Sequence, residues 1–249
     1  MMMPVALLLA GLLAANTALA EERQACEIPR SLLFGSNELK HVAEAVTRNH
    51  KLTIAVVGSG SSILGGPEGP ASAYPARLEA ALKQRLPGTE AKVVTLVRSR
   101  MSAEDMAHGM GKLLAEEKPD LVIWQTGTLD AIRRIDLDDF RAALEQGLET
   151  LQKGGADVIL MNMQYSPRTE IMVALGPYAD TMRVVAQQHE IPLFDRLAIM
   201  HHWSDSGAFD LYAAGKDNVL AHRVHDCIGR GIAAMIVDAA HLRDLKAGQ

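Results

Sequence analysis

The first twenty residues, MMMPVALLLAGLLAANTALA, contain no charged side chain. Their apolar run, residues 5–15, is about half the length needed to span a bilayer. Ala18-Leu19-Ala20, a small-residue cleavage signal, follows, and then Glu21 and Glu22. The pattern predicts a secretory signal peptide without the usual basic n-region, and hence a secreted or periplasmic protein with no stable membrane span after cleavage. An uncleaved N-terminal anchor is the alternative. The chain also lacks any basic stretch that could track phosphates: 30 acidic residues outnumber 25 basic ones. No nucleic acid partner is expected. CxxC and Cys/His metal spacings are absent, so no metal is expected. Internal repeats, low-complexity tracts and a dividing linker are missing too. That leaves residues 1–20 as signal peptide, 21–50 as an N-terminal arm and helix, and 51–249 as one domain.

Cysteine is nearly absent. The two present, Cys26 and Cys227, lie near opposite ends of the mature chain. In an oxidising compartment an even count of two suggests one disulfide. Two unrelated buried thiols are the alternative.

What is present alternates regularly. Residues 52–57 (LTIAVV), 91–97 (AKVVTLV), 121–125 (LVIWQ) and 157–163 (DVILMNM) are apolar runs typical of buried parallel strands, with 191–194 (IPLF) a weaker fifth. Helical periodicity covers 37–47, 74–86, 102–115, 138–153, 178–189 and 229–241. The Ser102-Ala-Glu-Asp105 stretch opens one of these as a variant capping box. This order predicts an α/β fold: a three-layer α/β/α sandwich with a doubly wound parallel sheet of about five strands. Ligands in such folds bind beyond the carboxyl ends of the strands. The segments there are 58–66, 98–101, 126–131 and 164–168.

The first of these, Val56-Val-Gly-Ser-Gly-Ser-Ser62, offers Ser59, Ser61 and Ser62 just past a strand end. It has neither the GxGxxG spacing nor a following P-loop Lys, and no strict G-x-S-x-G elbow. No cofactor is expected. A wider set of blocks is more specific: Ile54-Ala-Val-Val-Gly58, Tyr74-Pro-Ala-Arg-Leu78, Lys118-Pro-Asp-Leu-Val-Ile-Trp-Gln-Thr-Gly-Thr128, Met163-Gln-Tyr-Ser-Pro-Arg168, Pro192-Leu-Phe-Asp195 and His202-Trp203. In order and spacing these resemble the SGNH/GDSL hydrolases, specifically an exported bacterial branch with a GSSST-like first block. The resemblance implies a flavodoxin-like SGNH hydrolase fold and ester hydrolysis. It also implies a Ser nucleophile, a His base, an Asp three residues before that His, and an oxyanion hole built from the Ser N–H, a Gly N–H and an Asn.

Carried over position by position, the roles fall on unsuitable residues. Gly60 stands at the nucleophile, Arg100 at the oxyanion Gly, Leu129 at the oxyanion Asn, Lys216 at the Asp and Val219 at the His. A rebuilt triad would have to use Ser61 or Ser62 with His222 and a local Asp; Asp217 precedes His222 by five residues, not three. His222 and His225, three apart, are otherwise solvated or capping histidines. His201-His202 could supply a base, but the resemblance treats that segment as packing.

The expectation is therefore an exported SGNH-like protein with a degenerate catalytic set, binding a glycan or small carboxylate. Candidate ligand-binding residues are Ser59, Arg98, Arg100, Gln125, Thr128, Asp130 and Gln164. Arg98 and Arg100 could instead be surface residues paired with Glu104 or Asp105. An active ester hydrolase with a relocated serine is the rival, and a partner-binding module a third class. The methionines, Met161 and Met163 among them, are expected to fill the core.

Overall fold

A computed structural model describes residues 26–34, 38–213 and 218–243. The expected signal peptide, Lys216 and Asp217 lie outside the described residues. Six strands form one sheet: β1 (Leu33–Phe34), β2 (Lys51–Gly58), β3 (Glu90–Val97), β4 (Leu121–Gln125), β5 (Asp157–Met161) and β6 (Leu193–Phe194). Their order is β1-β6-β5-β4-β2-β3, with β1 antiparallel to β6 and all other pairs parallel. Five parallel strands match the expectation. The short antiparallel edge strand β1 was not legible.

The principal helices are α1 (Lys40–Glu44), α2 (Tyr74–Arg85), α3 (Ala103–Ala107), α4 (Met110–Glu117), α5 (Thr128–Arg133), α6 (Leu137–Lys153), α7 (Pro167–Met172), α8 (Gly176–Gln188), α9 (Arg196–Asp205) and α10 (Val219–Ala239). Side chains of a strand point alternately to the two faces of the sheet, so each face acquires its own core. On one face, Ile54, Val56, Leu121, Ile123 and Ile159 meet α2, α9 and α10. On the other, Ala55, Val122, Trp124, Val158 and Leu160 meet α3, α4, α6 and α8. Met161 belongs to the first core and Met163 to the second, both fully buried.

Three elements depart from the sequence expectation for identifiable reasons. Strand β5 ends at Met161 because Asn162 turns to the neighbouring segment: its Nδ2 donates to Asp195 Oδ1 (2.6 Å) and its Oδ1 accepts the Leu197 N–H (2.9 Å). The helix expected over 102–115 is broken at Gly109, which becomes the N-cap of α4. The Ser102–Asp105 capping box at its start is present as read. Helix α10 begins ten residues before the expected Gly229. That glycine is interior because a Cβ there would lie 2.7 Å from Arg77 Cβ and the Leu78 nitrogen, so it permits α10 to press against the α2 backbone.

Cys26 and Cys227 form a disulfide, with Cα atoms 5.1 Å apart, tying the N-terminal arm to α10. Trp203 secures the same arm by donating Nε1–H to the Glu27 carbonyl at 2.9 Å. Among the described residues no helix is long and apolar enough to cross a membrane.

Candidate functional site

In a sheet of this order the direction of strand succession reverses between β2 and β4, and the crevice opens beyond their carboxyl ends. The serine turn lies there. After Gly58 the chain makes a single 3-10 turn, Gly60–Ser62, closed by the Ser62 N–H donating to the Ser59 carbonyl at 2.9 Å. Gln125, last residue of β4, holds this turn. Its Oε1 accepts from the Ser59 N–H (3.0 Å), Ser59 Oγ (3.1 Å) and Ser62 Oγ (3.0 Å), with Ser61 Oγ more distant at 3.4 Å. The backbone N–H fixes the amide orientation, because Nε2 could not accept from it. Nε2 itself is buried without an acceptor among the described residues. Ser62 is fully buried, sharing its hydroxyl with Tyr74 Oη at 2.9 Å, and a Cβ on Gly58 would strike that hydroxyl at 2.3 Å. Ser59 and Ser62 are therefore consumed by the architecture of the turn.

Ser61 is different. It is half-buried and lines a cavity of about 360 Å³ with Gly60, Gln164, Ser166, Arg196 and His225. Arg196, first residue of α9, is fully buried. Its Nη1 donates to the Ser61 carbonyl (3.1 Å) and Oγ (3.2 Å), and its Nη2 to Gln164 Oε1 (3.0 Å). Its guanidinium carbon stands 5.7 Å from the Tyr74 ring centroid, a cation–π placement. Among the described residues its Nε–H has no acceptor, and no carboxylate pairs with it. The adjacent Asp195 turns away to receive Arg183 Nε at 2.7 Å and to cap α9. Burial accordingly pulls the Arg196 pKa down to about 10, opposed by Tyr74, which still leaves a full positive charge at neutral pH.

His225 is also buried, and its Nδ1 accepts the backbone N–H of Tyr74 at 3.0 Å. It therefore caps a helix, but α2 rather than its own, and it is not solvated. With Nδ1 accepting, the neutral ring carries its proton on Nε2 and is a donor. Burial first, then Arg196 and His222, lower its pKa to about 3. A ring in this state has no free lone pair with which to take a serine proton.

Among the described residues His222 shares no hydrogen bond with Ser61 or Ser62, and its buried Nε2 has no partner. The Ser–His pairing of the rebuilt triad is thus not made there. At the position expected for an oxyanion Asn, Leu129 sits half-buried on α5. Arg100 is exposed in a left-handed conformation (φ 64°), and Arg98 lines a separate cavity beside Leu96, Met106 and Met110. The capping carboxylate of Asp105 is turned to Ser102 instead of to either arginine. The cation at the serine turn is thus Arg196, not Arg100. Asp130 is a structural residue: its Oδ1 accepts the Ala103 N–H at 2.9 Å, joining α5 to the start of α3, and burial raises its pKa. Thr128 Oγ1 is buried without a partner among the described residues. His201 packs its ring at a tilt against Tyr165 and pairs with Asp205, a packing role.

Of the expected ligand set, only Ser59, Gln125 and Gln164 join this cluster. Arg196 and His225 were missed as site residues. Arg196 could have been found, since it lies two residues past the end of β6 and the crevice lies beyond strand ends. The weakness of the IPLF run kept that loop from being counted.

Fold and serine turn together define an SGNH-type α/β/α hydrolase-like protein. The chain belongs to the non-GDSL lipase-like family, whose sequence model matches residues 25–242. Among solved structures it is similar to LAE5, an α/β hydrolase enzyme from the metagenome of Lake Arreo, Spain, at 19% identity and a TM-score of 0.58, over 77% of this chain and 96% of that one. It is likewise similar to Axe2, an acetylxylan esterase from Geobacillus stearothermophilus solved as a catalytic mutant, at 18% identity and a TM-score of 0.59, over 74% of this chain and 94% of that one. A G-D-S-L family protein from Desulfitobacterium hafniense matches at 16% identity and a TM-score of 0.55, over 74% of this chain and 99% of that one. At these identities the likeness is one of fold. A comparison with curated proteins finds no match.

Proposed function

We propose that this SGNH-type protein binds a small acid-bearing ligand at Arg196 and does not hydrolyse esters. One observation carries the reading: a fully buried guanidinium, without a carboxylate partner among the described residues, donates to both the carbonyl and the hydroxyl of Ser61. A buried cation left unpaired is a standing penalty, and an anionic ligand would relieve it. The same contact engages the Ser61 hydroxyl, which lines the cavity. His225, held as a neutral donor, supplies no base. Removing a nucleophile or a base alone lowers turnover by several orders of magnitude. Export accompanies this reading, supported by the disulfide between distant cysteines.

The rival, a carboxylester hydrolase with Ser61 or Ser62 as nucleophile, is the one that family membership favours. Three measurements separate them. We predict that short p-nitrophenyl esters turn over at background and that a fluorophosphonate probe labels no serine, while carboxylates raise the melting temperature. Turnover well above background, abolished by Ser61→Ala or Ser62→Ala, would establish the hydrolase instead.

A further inference from the structure

Resting on Arg196 as the ligand's anchor, the rest of the cavity narrows the ligand class. Of its polar lining, Arg196, Gln164 and Ser61 are joined by hydrogen bonds, and Tyr165, Ser166 and His225 also line it. Much of the remaining wall is aliphatic, from Ile63, Leu64, Met200, Leu211, Leu220 and Val224. We infer that the cavity takes an aliphatic monocarboxylate of about four to eight carbons, its carboxylate on Arg196 and its chain along the Leu211–Leu220–Val224 wall.

Three features select this class. Among the described residues the charge count is one: Arg196 is a single cation, three of its donor directions already meet Ser61 and Gln164, and His225 is neutral. A dianion would bring a second charge with nothing to balance it. The wall is the second feature. A sugar in this space would press hydroxyls against leucine and valine, and each unmatched hydroxyl costs about 1–3 kcal/mol. An alkyl chain loses nothing there and gains burial. The volume bounds the length: about 360 Å³ holds roughly a dozen waters at ~30 Å³ each, so a ligand of up to about ten heavy atoms fits. The buried Nε–H of Arg196, with no acceptor among the described residues, is an independent sign that the guanidinium is not satisfied by its own chain.

The test uses the disulfide-bonded protein with acetate, butyrate, hexanoate, octanoate and decanoate, the matching 1-alkanols, and glucuronate, read by thermal shift and calorimetry. Affinity should rise about fourfold per CH₂ from butyrate upward and stop rising beyond octanoate, while the alkanols give no shift. Arg196→Met should weaken hexanoate at least tenfold. If that variant does not fold, Leu220→Gln serves: it should weaken hexanoate and leave acetate unchanged. Equal affinity along the series, or binding of 1-hexanol as tight as hexanoate, overturns the inference. Glucuronate binding without alkanoate binding overturns it too, but leaves the anion site standing. If no anion shifts the protein, both the inference and the reading beneath it fall.

Discussion

His225 on α10 accepts the backbone N–H of Tyr74 at 3.0 Å and so completes the first turn of α2. The first N–H groups of a helix have no partner within it, and here the nearest acceptor is a ring from another element. That makes a titratable group part of the packing between α2 and α10, and it ties stability to pH. The folded pKa is lowered to about 3, whereas the unfolded chain titrates near the ordinary histidine value of 6.5. Between those values the unfolded state binds a proton that the folded state refuses. Stability is therefore full above pH 6.5 and falls as pH drops toward 3, by about 1.4 kcal/mol per pH unit from this group. Asp130 and Asp157, whose pKa values are raised by burial, work in the opposite sense, so the group must be isolated by comparison. His225→Asn keeps an acceptor near the Nδ1 position and removes the titration. Urea midpoints at pH 7, 6, 5 and 4 should converge between parent and variant as pH falls. A constant gap would mean that His225 is not held neutral.

Gly229 and Gly111 should respond to alanine in opposite directions. At Gly229 the new Cβ lies 2.7 Å from Arg77 Cβ and from the Leu78 backbone, so α10 and α2 must separate. Overpacking of this kind costs about 1–3 kcal/mol. At Gly111, inside α4, a Cβ meets nothing within 4 Å. There alanine should stabilise by about 0.4–1 kcal/mol, because the unfolded chain loses freedom that the folded one does not use. Thermal unfolding of the two single variants reads both signs. Equal destabilisation would deny that close helix approach is what selects Gly229.

The Cys26–Cys227 bridge closes the chain over a separation of 201 residues. In the chain-entropy description a closure that long stabilises by up to about 5 kcal/mol, acting on the unfolded state. Peptide mapping without reduction should recover the linked pair from protein made in an oxidising compartment. Reduction, or Cys227→Ser, should lower the unfolding midpoint substantially. Two free thiols in such material would refute the bridge.

The layers were legible because strand and helix periods differ and the chain alternates them without interruption. Residues 52–57, 121–125 and 138–153 needed no tertiary information. What failed had tertiary causes. Gly229 reads as a helix start unless the backbone of α2 is known to lie against it. The segment 162–163 reads as strand unless Asn162 is known to have Asp195 as its partner. At the site, order and spacing put Gly60 and Leu129 at positions the resemblance assigns to the nucleophile and the oxyanion Asn, and the expected cation was Arg100. Both arginines follow strand ends. Only the structure distinguishes the exposed left-handed Arg100 from Arg196, which is carried beneath the serine turn by α9. Burial of a charge that has no carboxylate partner among the described residues leaves no trace in local sequence.

Gln164 gives the sharpest means of testing what that buried charge is for. Its Oε1 already receives Arg196 Nη2 at 3.0 Å, through a neutral amide. Gln164→Glu changes almost no volume and places a carboxylate on the cation, supplying within the chain the charge that a ligand is proposed to bring. A charge-assisted hydrogen bond is roughly twice as strong as a neutral one, so the variant should gain about 1 kcal/mol of stability at pH 7. A carboxylate beside Arg196 also restores the pKa that burial had lowered. The same substitution should abolish the thermal shift produced by hexanoate, because the site is then neutral and the introduced carboxylate repels the ligand's own. Stability and binding are thus expected to move in opposite directions in one variant. If the variant is more stable and hexanoate still binds with unchanged affinity, the ligand's carboxylate does not sit on Arg196. If the variant is less stable, the guanidinium is already neutralised by a partner, and no ligand is needed to account for its burial.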